Sequence, residues 1–342
     1  MQHEIIIPTL LLDQKGNIAE PGFARSMLYQ YRRRDIRAPR ALIKEWDYYY
    51  VGNDRFGLAL TIADNGYMGL DSVSFLNFDE TWETTKSPMR LFPLGRTGLP
   101  ESSETGDTSI RGKGYAIAFR KCPEARKLTF YMDNFRGGKS IRGDLWLTDE
   151  PRDSMVIATP FGKRGRFYCN QKINCMRAAG AVTIGEKAYR FDPQDSFGVL
   201  DWGRGVWTYH NTWYWASLSA QIGGIPFGFN LGYGFGDTSA ASENMLFYGG
   251  IGHKLSRVKF DIPMKNGRED YLLPWKFYSD DDRLELDFVP ILDRAACTDF
   301  KLLKSDQHQV FGRFSGRAVL DDGTVLELKN LTGFAEKVEN KW

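Results

Sequence analysis

The amino-acid sequence predicts an all-β protein built as two antiparallel barrels in tandem, with few, short helices. Three observations predict this class. Apolar residues recur with a period of two, short turn signals separate the apolar runs, and alternating strand–helix units are absent. The 342 residues hold about twenty candidate strands. Two closed sheets accommodate them better than one open sheet, which would leave long unpaired edges.

The period of two is clearest in three segments. Between residues 227 and 236, Phe, Leu and Tyr alternate with Gly and Asn. Residues 128–133 and 284–289 alternate apolar with mainly polar side chains. Such alternation is typical of a strand that buries one face.

Four short polar segments predict hairpin turns, because each joins two apolar runs. They are Gly52–Asp54, Gly185–Glu186, Gly223–Gly224 and Asp321–Gly323. A short helix is expected only over residues 21–34, where Pro21 stands at the first turn.

Two irregular stretches organise the chain. Residues 92–114, rich in Gly, Ser, Thr and Pro, predict a long loop that covers a barrel mouth. Residues 236–244 predict the domain junction. We therefore expect the first barrel at residues 1–238 and a smaller second barrel at 239–342, on which the N-terminal residues are able to pack.

Charge and cysteine content limit the function classes. The chain has 45 basic and 43 acidic residues, a balance unlike that of nucleic-acid-binding proteins. The dense basic run at residues 29–40 is either a solvated segment or interdomain clamp, or a contact for phosphate or anionic lipid. Four cysteines without metal-site spacing, no signal sequence and no long apolar run predict a cytoplasmic protein with no metal, cofactor or transmembrane segment. The oligomeric state stays open.

Residues 201–215 contain four Trp, two Tyr, an Asp, an Arg and a His. If the segment is extended, alternate residues from Trp207 to Trp215 share one face. Such an aromatic wall suits a pocket for a large apolar ligand, and an ordinary aromatic core is the alternative. The candidate ligand-binding residues are Trp202, Arg204, Trp207, Tyr209, Trp213 and Trp215.

Asp201 is the candidate general acid. A carboxyl group in an aromatic pocket has its charged form disfavoured, so it can hold and donate a proton near neutral pH. Arg204 opposes this, because a nearby guanidinium keeps a carboxylate ionised. His210 or Tyr209 is the candidate proton relay.

Glu45, Trp46 and Asp47 form a second candidate binding group. On a strand, Glu45 and Asp47 point to the same side. Two adjacent carboxyl groups are able to share a proton or hold a cation, whereas the alternative is pairing with the nearby arginines. Glu336 and Trp342, near the carboxyl end, are expected to pack or pair in structural roles.

The sequence resembles the family known as domain of unknown function 2804 over nearly its whole length. The segments that carry the resemblance are KEWDYYYV, LTIADNGY, FPLGR, RFYCNQK, DWGRGVWTYHNTWYWA, FGFNLGYGFGDTSAASEN, QVFGRFSG and GFAEKVENKW. More distantly, the order of parts is similar to the carotenoid 1,2-hydratase and AttH-like superfamily. That resemblance implies two lipocalin-like barrels and an apolar ligand. The hydratases have an Asp-His tryptophan motif where this chain has Asp201, and the His is missing here.

Three functions fit these observations. The first is binding of a hydrophobic small molecule, lipid-like or isoprenoid-like, in an aromatic-lined barrel pocket. The second is a hydratase or cyclase that protonates an isoprenoid-like alkene through Asp201, with tryptophan faces stabilising the cation. The third is a structural module that binds a partner through its aromatic surface.

Overall fold

The alternating sequence forms 27 strands in the part of the chain that the computed structural model describes, residues 2–300 and 303–341. In chain order they are β1 Thr9–Leu10, β2 Gly22–Ala24, β3 Tyr29–Gln30, β4 Ile43–Gly52, β5 Phe56–Asp64, β6 Met68–Asn77, β7 Trp82–Lys86, β8 Met89–Leu91, β9 Thr108–Gly112, β10 Tyr115–Cys122, β11 Ala125–Arg136, β12 Lys139–Thr148, β13 Met155–Pro160, β14 Phe167–Ile184, β15 Lys187–Phe191, β16 Phe197–Val206, β17 His210–Ile222, β18 Ile225–Tyr233, β19 Met245–Tyr248, β20 Ile251–Lys254, β21 Val258–Asp261, β22 Met264–Lys265, β23 Arg268–Glu269, β24 Trp275–Ser279, β25 Leu284–Phe300, β26 Leu303–Val319 and β27 Val325–Lys341.

Helical structure is confined to two single-turn 3-10 helices, Arg33–Asp35 and Arg40–Leu42, among the described residues. The helix expected over residues 21–34 is wrong: this segment contains β2 and β3 instead. Phe23 and Ala24 pair with β13, so their apolar side chains are buried by a strand neighbour. Within the described ranges, no helix is long and apolar enough to cross a membrane.

The first large sheet has the strand order β7-β6-β5-β4-β16-β14-β12-β11-β10-β9, with β2, β8, β13 and β15 attached at its sides. It curls until its edges meet through side chains. The Tyr115 hydroxyl of β10 donates to Asp71 of β6 at 2.8 Å. The Arg136 guanidinium of β11 packs 3.7 Å over the Trp82 ring of β7. The curled sheet encloses one apolar core.

The second large sheet has the order β20-β19-β18-β17-β27-β26-β25-β24-β21. It also curls, and the Tyr233 hydroxyl of β18 accepts a hydrogen bond from the Phe260 amide of β21 at 3.3 Å. A separate core with Phe229, Phe277 and Phe314 lies inside it. The predicted all-β fold of two antiparallel barrels is therefore confirmed, and so are the four predicted hairpin turns.

The chain passes from the first sheet to the second within residues 207–209, between the end of β16 and the start of β17. Thr208 turns the chain here, because its carbonyl accepts a hydrogen bond from Asn211 at 2.6 Å. We propose that the domain boundary lies at this turn, not at residue 238. The N-terminus contacts the second half: His3 donates to the Ala240 carbonyl at 2.9 Å, and Gln2 donates to that of Leu255 at 2.7 Å.

The two barrels pack against each other through the outer faces of their central strands. In the first barrel these strands are β4, β14 and β16, and in the second they are β17, β18 and β27. Within the first sheet, the Trp46 side chain of β4 lies across β16 and requires a glycine at position 203, its paired position. A Cβ atom there would lie 1.9 Å from Cζ2 of Trp46, whose ring covers this part of β16.

We predict that Gly203→Ala destabilises the fold by about 1–3 kcal/mol, because a methyl group would overlap the Trp46 ring. The measurement is the midpoint of urea unfolding, monitored by tryptophan fluorescence. Gly162→Ala is the matched control, since its added Cβ meets nothing within 4 Å. Equal unfolding midpoints for the two variants would contradict this account of the contact.

Candidate functional site between the barrels

Ionisable side chains are buried in the otherwise aromatic contact between the barrels. We call Lys172, Asp201, Glu243 and Glu336 the interbarrel cluster. Rings from both barrels surround it, and their contacts cross from one sheet to the other. Tyr48 of β4 meets Trp215 of β17 edge-on at 5.8 Å between centroids, and Trp46 meets Trp207 at 5.3 Å.

Strand alternation sorts the side chains between this contact and the first barrel's interior. On β16, Leu200, Trp202 and Arg204 belong inside the first barrel, whereas Asp201 faces the contact. On β14, Asn170 and Lys172 face the contact, whereas Cys169 and Ile173 join the first core. Each of these two strands therefore contributes one face to the core of the first barrel and the other face to the polar cluster.

Lys172 is the central cation of the cluster. Its Nζ lies 2.9 Å from Oδ1 of Asp201 and 3.8 Å from the centroid of the Trp215 ring. The Asn170 amide donates to the same Asp201 oxygen at 2.5 Å. The Trp215 indole donates to Oδ1 of Asn230 at 2.8 Å, which fixes the ring under the ammonium group. An ion pair and a cation–π contact together hold Lys172.

Glu336 and Glu243 complete the cluster. Oε1 of Glu336 accepts from the Trp213 indole at 2.8 Å, and Oε2 accepts from Gln309 at 3.0 Å. Burial raises the pKa of Glu336, and the hydrogen bond from Trp213 and the charge of Lys172 only partly oppose the rise. Burial also raises the pKa of Glu243, which Lys172 lowers and Asp201 raises. The charge of Arg294 also lowers the pKa of Glu336, and that of Lys254 lowers the pKa of Glu243, but burial is the largest influence on both glutamates and favours retention of a proton.

Several polar atoms here have unused hydrogen-bonding capacity. Oδ1 of Asn170, Oε1 of Gln309 and the Tyr50 hydroxyl are buried and have no hydrogen-bond partner in the described part of the chain. A buried polar atom without a partner costs about 1–3 kcal/mol. A bound molecule with a polar group would supply the missing partners.

A second polar group lies inside the first barrel, around the completely buried Arg204. Its Nη2 donates to Oδ1 of Asp47 at 3.1 Å and to the Pro100 carbonyl at 2.8 Å. Its Nη1 donates to the Trp46 carbonyl at 2.7 Å. The guanidinium group also lies 4.1 Å over the Trp202 ring. We call Arg204 and the acidic residues Glu45 and Asp47 the mouth network.

Glu45 is held by the N-terminal segment. It accepts a hydrogen bond from the Tyr31 hydroxyl at 2.6 Å and forms an ion pair with Arg33. Burial raises the pKa of Glu45, whereas Arg204 and Arg33 lower it. The pairing with the arginine-rich segment, one of the two readings of this residue, is therefore present.

The predicted loop at residues 92–114 is irregular only to residue 107, since β9 begins at Thr108. Its backbone is tied to buried arginines: Arg204 donates to the Pro100 carbonyl, and Arg126 donates to the Ser103 carbonyl, each at 2.8 Å. Thr108 donates to Oδ2 of Asp47 at 2.7 Å. The mouth network thus fastens this loop to the first barrel.

The structure divides the predicted site residues into three groups. The first group lies between the barrels and consists of Asp201, Trp46, Trp207, Trp213 and Trp215. The second group lies inside the first barrel and consists of Glu45, Asp47, Trp202 and Arg204. The third group, Tyr209 and His210, is exposed beside the 207–209 turn. The single aromatic face expected over residues 207–215 is corrected by the turn at Thr208, which interrupts the strand. Arg204 pairs with Asp47 on the opposite side of the sheet from Asp201, whose partner is Lys172.

The expected position of the pocket also changes. The tryptophans of the predicted wall stand outside the barrels, and the interior of each barrel is filled by its own core. Lys172, Asn170 and Glu243 were not among the predicted site residues, and Glu336 was assigned only a structural role in packing or pairing. Trp342 lies outside the described residues. One signal was available: residues 168–174 alternate Tyr, Asn, Lys and Asn with apolar or amide side chains on a strand that must be buried.

The sequence profile of one family, Domain of unknown function (DUF2804), matches residues 2–342. The chain belongs to this family. No curated protein matches the sequence. The family assignment agrees with the resemblance found in the sequence, and it extends over both barrels and both polar groups.

Solved structures give more distant similarities. Kievitone hydratase from Nectria haematococca is 12% identical, with a TM-score of 0.47, and the alignment covers 87% of this chain and 88% of that one. CghA is 9% identical, with a TM-score of 0.47 and coverage of 100% and 97%. An AttH-type protein of Nitrosomonas europaea is 8% identical, with a TM-score of 0.47 and coverage of 87% and 92%. At these values no activity is transferred to the chain.

We predict that Arg204→Met destabilises the protein by about 3–5 kcal/mol, because it leaves the Asp47 carboxylate buried without its cation. Chemical unfolding measures the change. The control is Arg317→Met, whose pair with Glu285 is largely exposed and is expected to contribute at most about 1 kcal/mol. Similar losses in the two variants would rule out a special role for the mouth network.

We also predict a pH-dependent effect of Glu336→Gln. Because its pKa is raised above the ordinary value of 4.5, native Glu336 stabilises the fold fully below about pH 4.5 and loses that contribution as the pH rises through the folded-state pKa. The stability of the variant relative to the native protein should therefore increase from pH 4 to pH 8. Glu327→Gln, at an exposed position of the same strand, should show no such trend. Unfolding midpoints across this range measure both, and parallel curves would contradict the prediction.

Proposed function

We propose that this protein binds a hydrophobic small molecule with a polar group, lipid-like or isoprenoid-like, between its two barrels. The observation that carries the proposal is the interbarrel cluster itself. Ionisable side chains, with nearby polar atoms that have unused hydrogen-bonding capacity, are enclosed by tryptophan and tyrosine rings. If this contact only held the two barrels together, apolar residues of the same volume in place of the charged ones would generally be at least as stable.

The aromatic rings supply the apolar part of the site. Trp46, Trp213 and Trp215 offer large flat faces to an apolar molecule, and hydrogen bonds from the Trp213 and Trp215 indoles to Glu336 and Asn230 fix two of these rings. In this structure the barrels are closed on one another. A depression of about 130 Å³, lined partly by Tyr50, Val199 and Phe334, opens beside the same aromatic contact. A ligand entering there would reach the cluster by displacing rings.

The polar part of the site selects the chemistry of the ligand's polar group. Lys172 is a hydrogen-bond donor for a hydroxyl, carbonyl or carboxylate oxygen. The free oxygens of Asn170 and Gln309 accept from a hydroxyl or amide group. An apolar molecule with a hydroxyl or carbonyl group matches both kinds of partner.

The raised pKa of Glu336 favours a second candidate function, acid–base catalysis on an alkene. A protonated Glu336 would give its proton to one alkene carbon, and the π electrons would form the new C–H bond. The cation left on the other carbon would face the tryptophan rings until water added to it. The water would then return a proton to the Glu336 carboxylate. Asp201, paired with Lys172, suits stabilisation of the cation better than proton donation.

The first test is native mass spectrometry with lipid extraction on the full chain purified from its own host. We predict a stoichiometric apolar molecule. Oleic acid, farnesol and a carotenoid are then titrated by tryptophan fluorescence. Trp213→Phe should weaken binding about tenfold, because it removes part of the wall and the indole donor. Trp146→Phe, on β12 and partly exposed, should bind like the native protein.

The two candidate functions give different results with Glu336→Gln. If the site only binds, the variant should keep most of its affinity, and no product should form. If it hydrates an alkene, the native protein should incorporate oxygen from labelled water, and the variant should lose at least about a hundredfold in rate. An empty native protein that ignores every probe would refute both functions.

A further inference from the structure

Exposed apolar side chains cluster at one end of the first barrel. Met89, Leu91 and Phe92 are 67%, 79% and 57% exposed, although they lie on or directly after strand β8. Leu42, which ends a 3-10 helix, is also exposed. We call these four residues the apolar tip.

Backbone contacts hold the parts of the tip together. Leu91 pairs with Met68 on β6, and the Phe92 amide donates to the Tyr67 carbonyl at 2.8 Å. The Leu94 amide donates to the Gly66 carbonyl at 3.0 Å. The Cα of Gly66 is in turn packed against the carbonyl of Ala41, the residue before Leu42. The loop after β8 and the helix that carries Leu42 are therefore neighbours.

The backbone of the tip adopts a conformation that bulky residues rarely have. Phe92 and Leu94 have φ angles of +47° and +54°. Positive φ at a bulky residue costs of the order of a hydrogen bond, and such residues concentrate at functional positions. Here this backbone conformation keeps the Phe92 ring exposed to solvent, outside the core of the first barrel.

Exposed arginines surround the tip. Arg96 donates through Nη2 to the Phe92 carbonyl, so its side chain lies against the loop. Arg40 precedes Leu42 by two residues, and Arg34 belongs to the neighbouring helix. Arg33, from the same basic run, packs against Gly95 while it pairs with Glu45. Only Arg33 of this run is used to hold Glu45; Arg34, Arg37 and Arg40 face solvent.

We propose that the apolar tip and its arginines dock the first barrel on an anionic membrane surface. Aliphatic and aromatic side chains that protrude from a three-residue edge strand suit insertion at the boundary between headgroups and acyl chains. Arginines beside them suit the phosphate and carboxylate groups of anionic lipids. The tip consists of four exposed side chains from a three-residue strand, the residue after it and one helical turn, whereas a stable protein interface involves about 20–30 residues on each side. This inference does not depend on a ligand between the barrels.

The test is flotation of the full chain with vesicles of phosphatidylcholine, alone or mixed with phosphatidylserine. We expect binding only to the mixed vesicles, weakened by added salt. Leu91→Ser combined with Phe92→Ser should reduce the bound fraction about tenfold, and so should Arg40→Gln combined with Arg96→Gln. Met264→Ser, an exposed apolar residue of the second half, is the control and should bind normally.

Three outcomes would overturn the proposal. The first is failure of the native protein to float with phosphatidylserine vesicles, and the second is equal flotation of the serine double variant. The third is a change of oligomeric state in the serine double variant, which would identify the tip as a contact between copies of the chain. Thermal unfolding of each variant checks that the fold is intact. We expect unchanged unfolding temperatures, since the altered side chains are exposed or at the loop surface.

Discussion

Burial of the central strands on both faces is the constraint on which this structure depends. Strands β4, β14 and β16 each have one face in the first barrel's core and the other against the second barrel. Neither face reaches water, so every polar side chain on these strands needs a partner within the protein. The charged residues of the molecule's centre follow from this requirement.

The two polar groups meet the requirement in different ways. In the mouth network, Arg204 donates four hydrogen bonds. Two go to the backbone carbonyls of Trp46 on β4 and Gly203 on β16. The other two go to the Asp47 carboxylate and to the Pro100 carbonyl of the covering loop. It fastens the covering loop to the barrel, and its Nε and the Trp202 indole N–H have no partner among the described residues. In the interbarrel cluster, the charge of Lys172 acts on both glutamates, together with Arg294 at Glu336 and Lys254 at Glu243, and two neighbouring amide oxygens stay unused. The mouth network holds a loop to one barrel, whereas the interbarrel cluster takes its residues from both barrels.

The fold was predictable because period-two alternation and hairpin turns are local signals; the clearest alternation falls in β11, β18 and β25, and the predicted turns adjoin β4, β17 and β27. The site was only partly predictable. The tryptophans of residues 207–215 were recognised by type and lie together between the barrels, but the turn at Thr208 leaves Tyr209 exposed. Lys172 was missed because its importance comes from Asp201 and Trp215, which reach it only after two sheets have formed. Separation in the chain hides such partners.

The position of β27 in the second sheet has a consequence for how the protein forms during synthesis. β27 follows every other strand of that sheet in the sequence, yet it lies between β17 and β26, at the sheet's centre. Until residues 325–341 leave the ribosome, β17 has an unpaired edge and the aromatic residues Trp213 and Trp215 lack the neighbours that cover them. The nascent second barrel is therefore an aggregation-prone intermediate, and its apolar surface stays exposed for most of its own translation. At this stage the chain has the greatest need of chaperones.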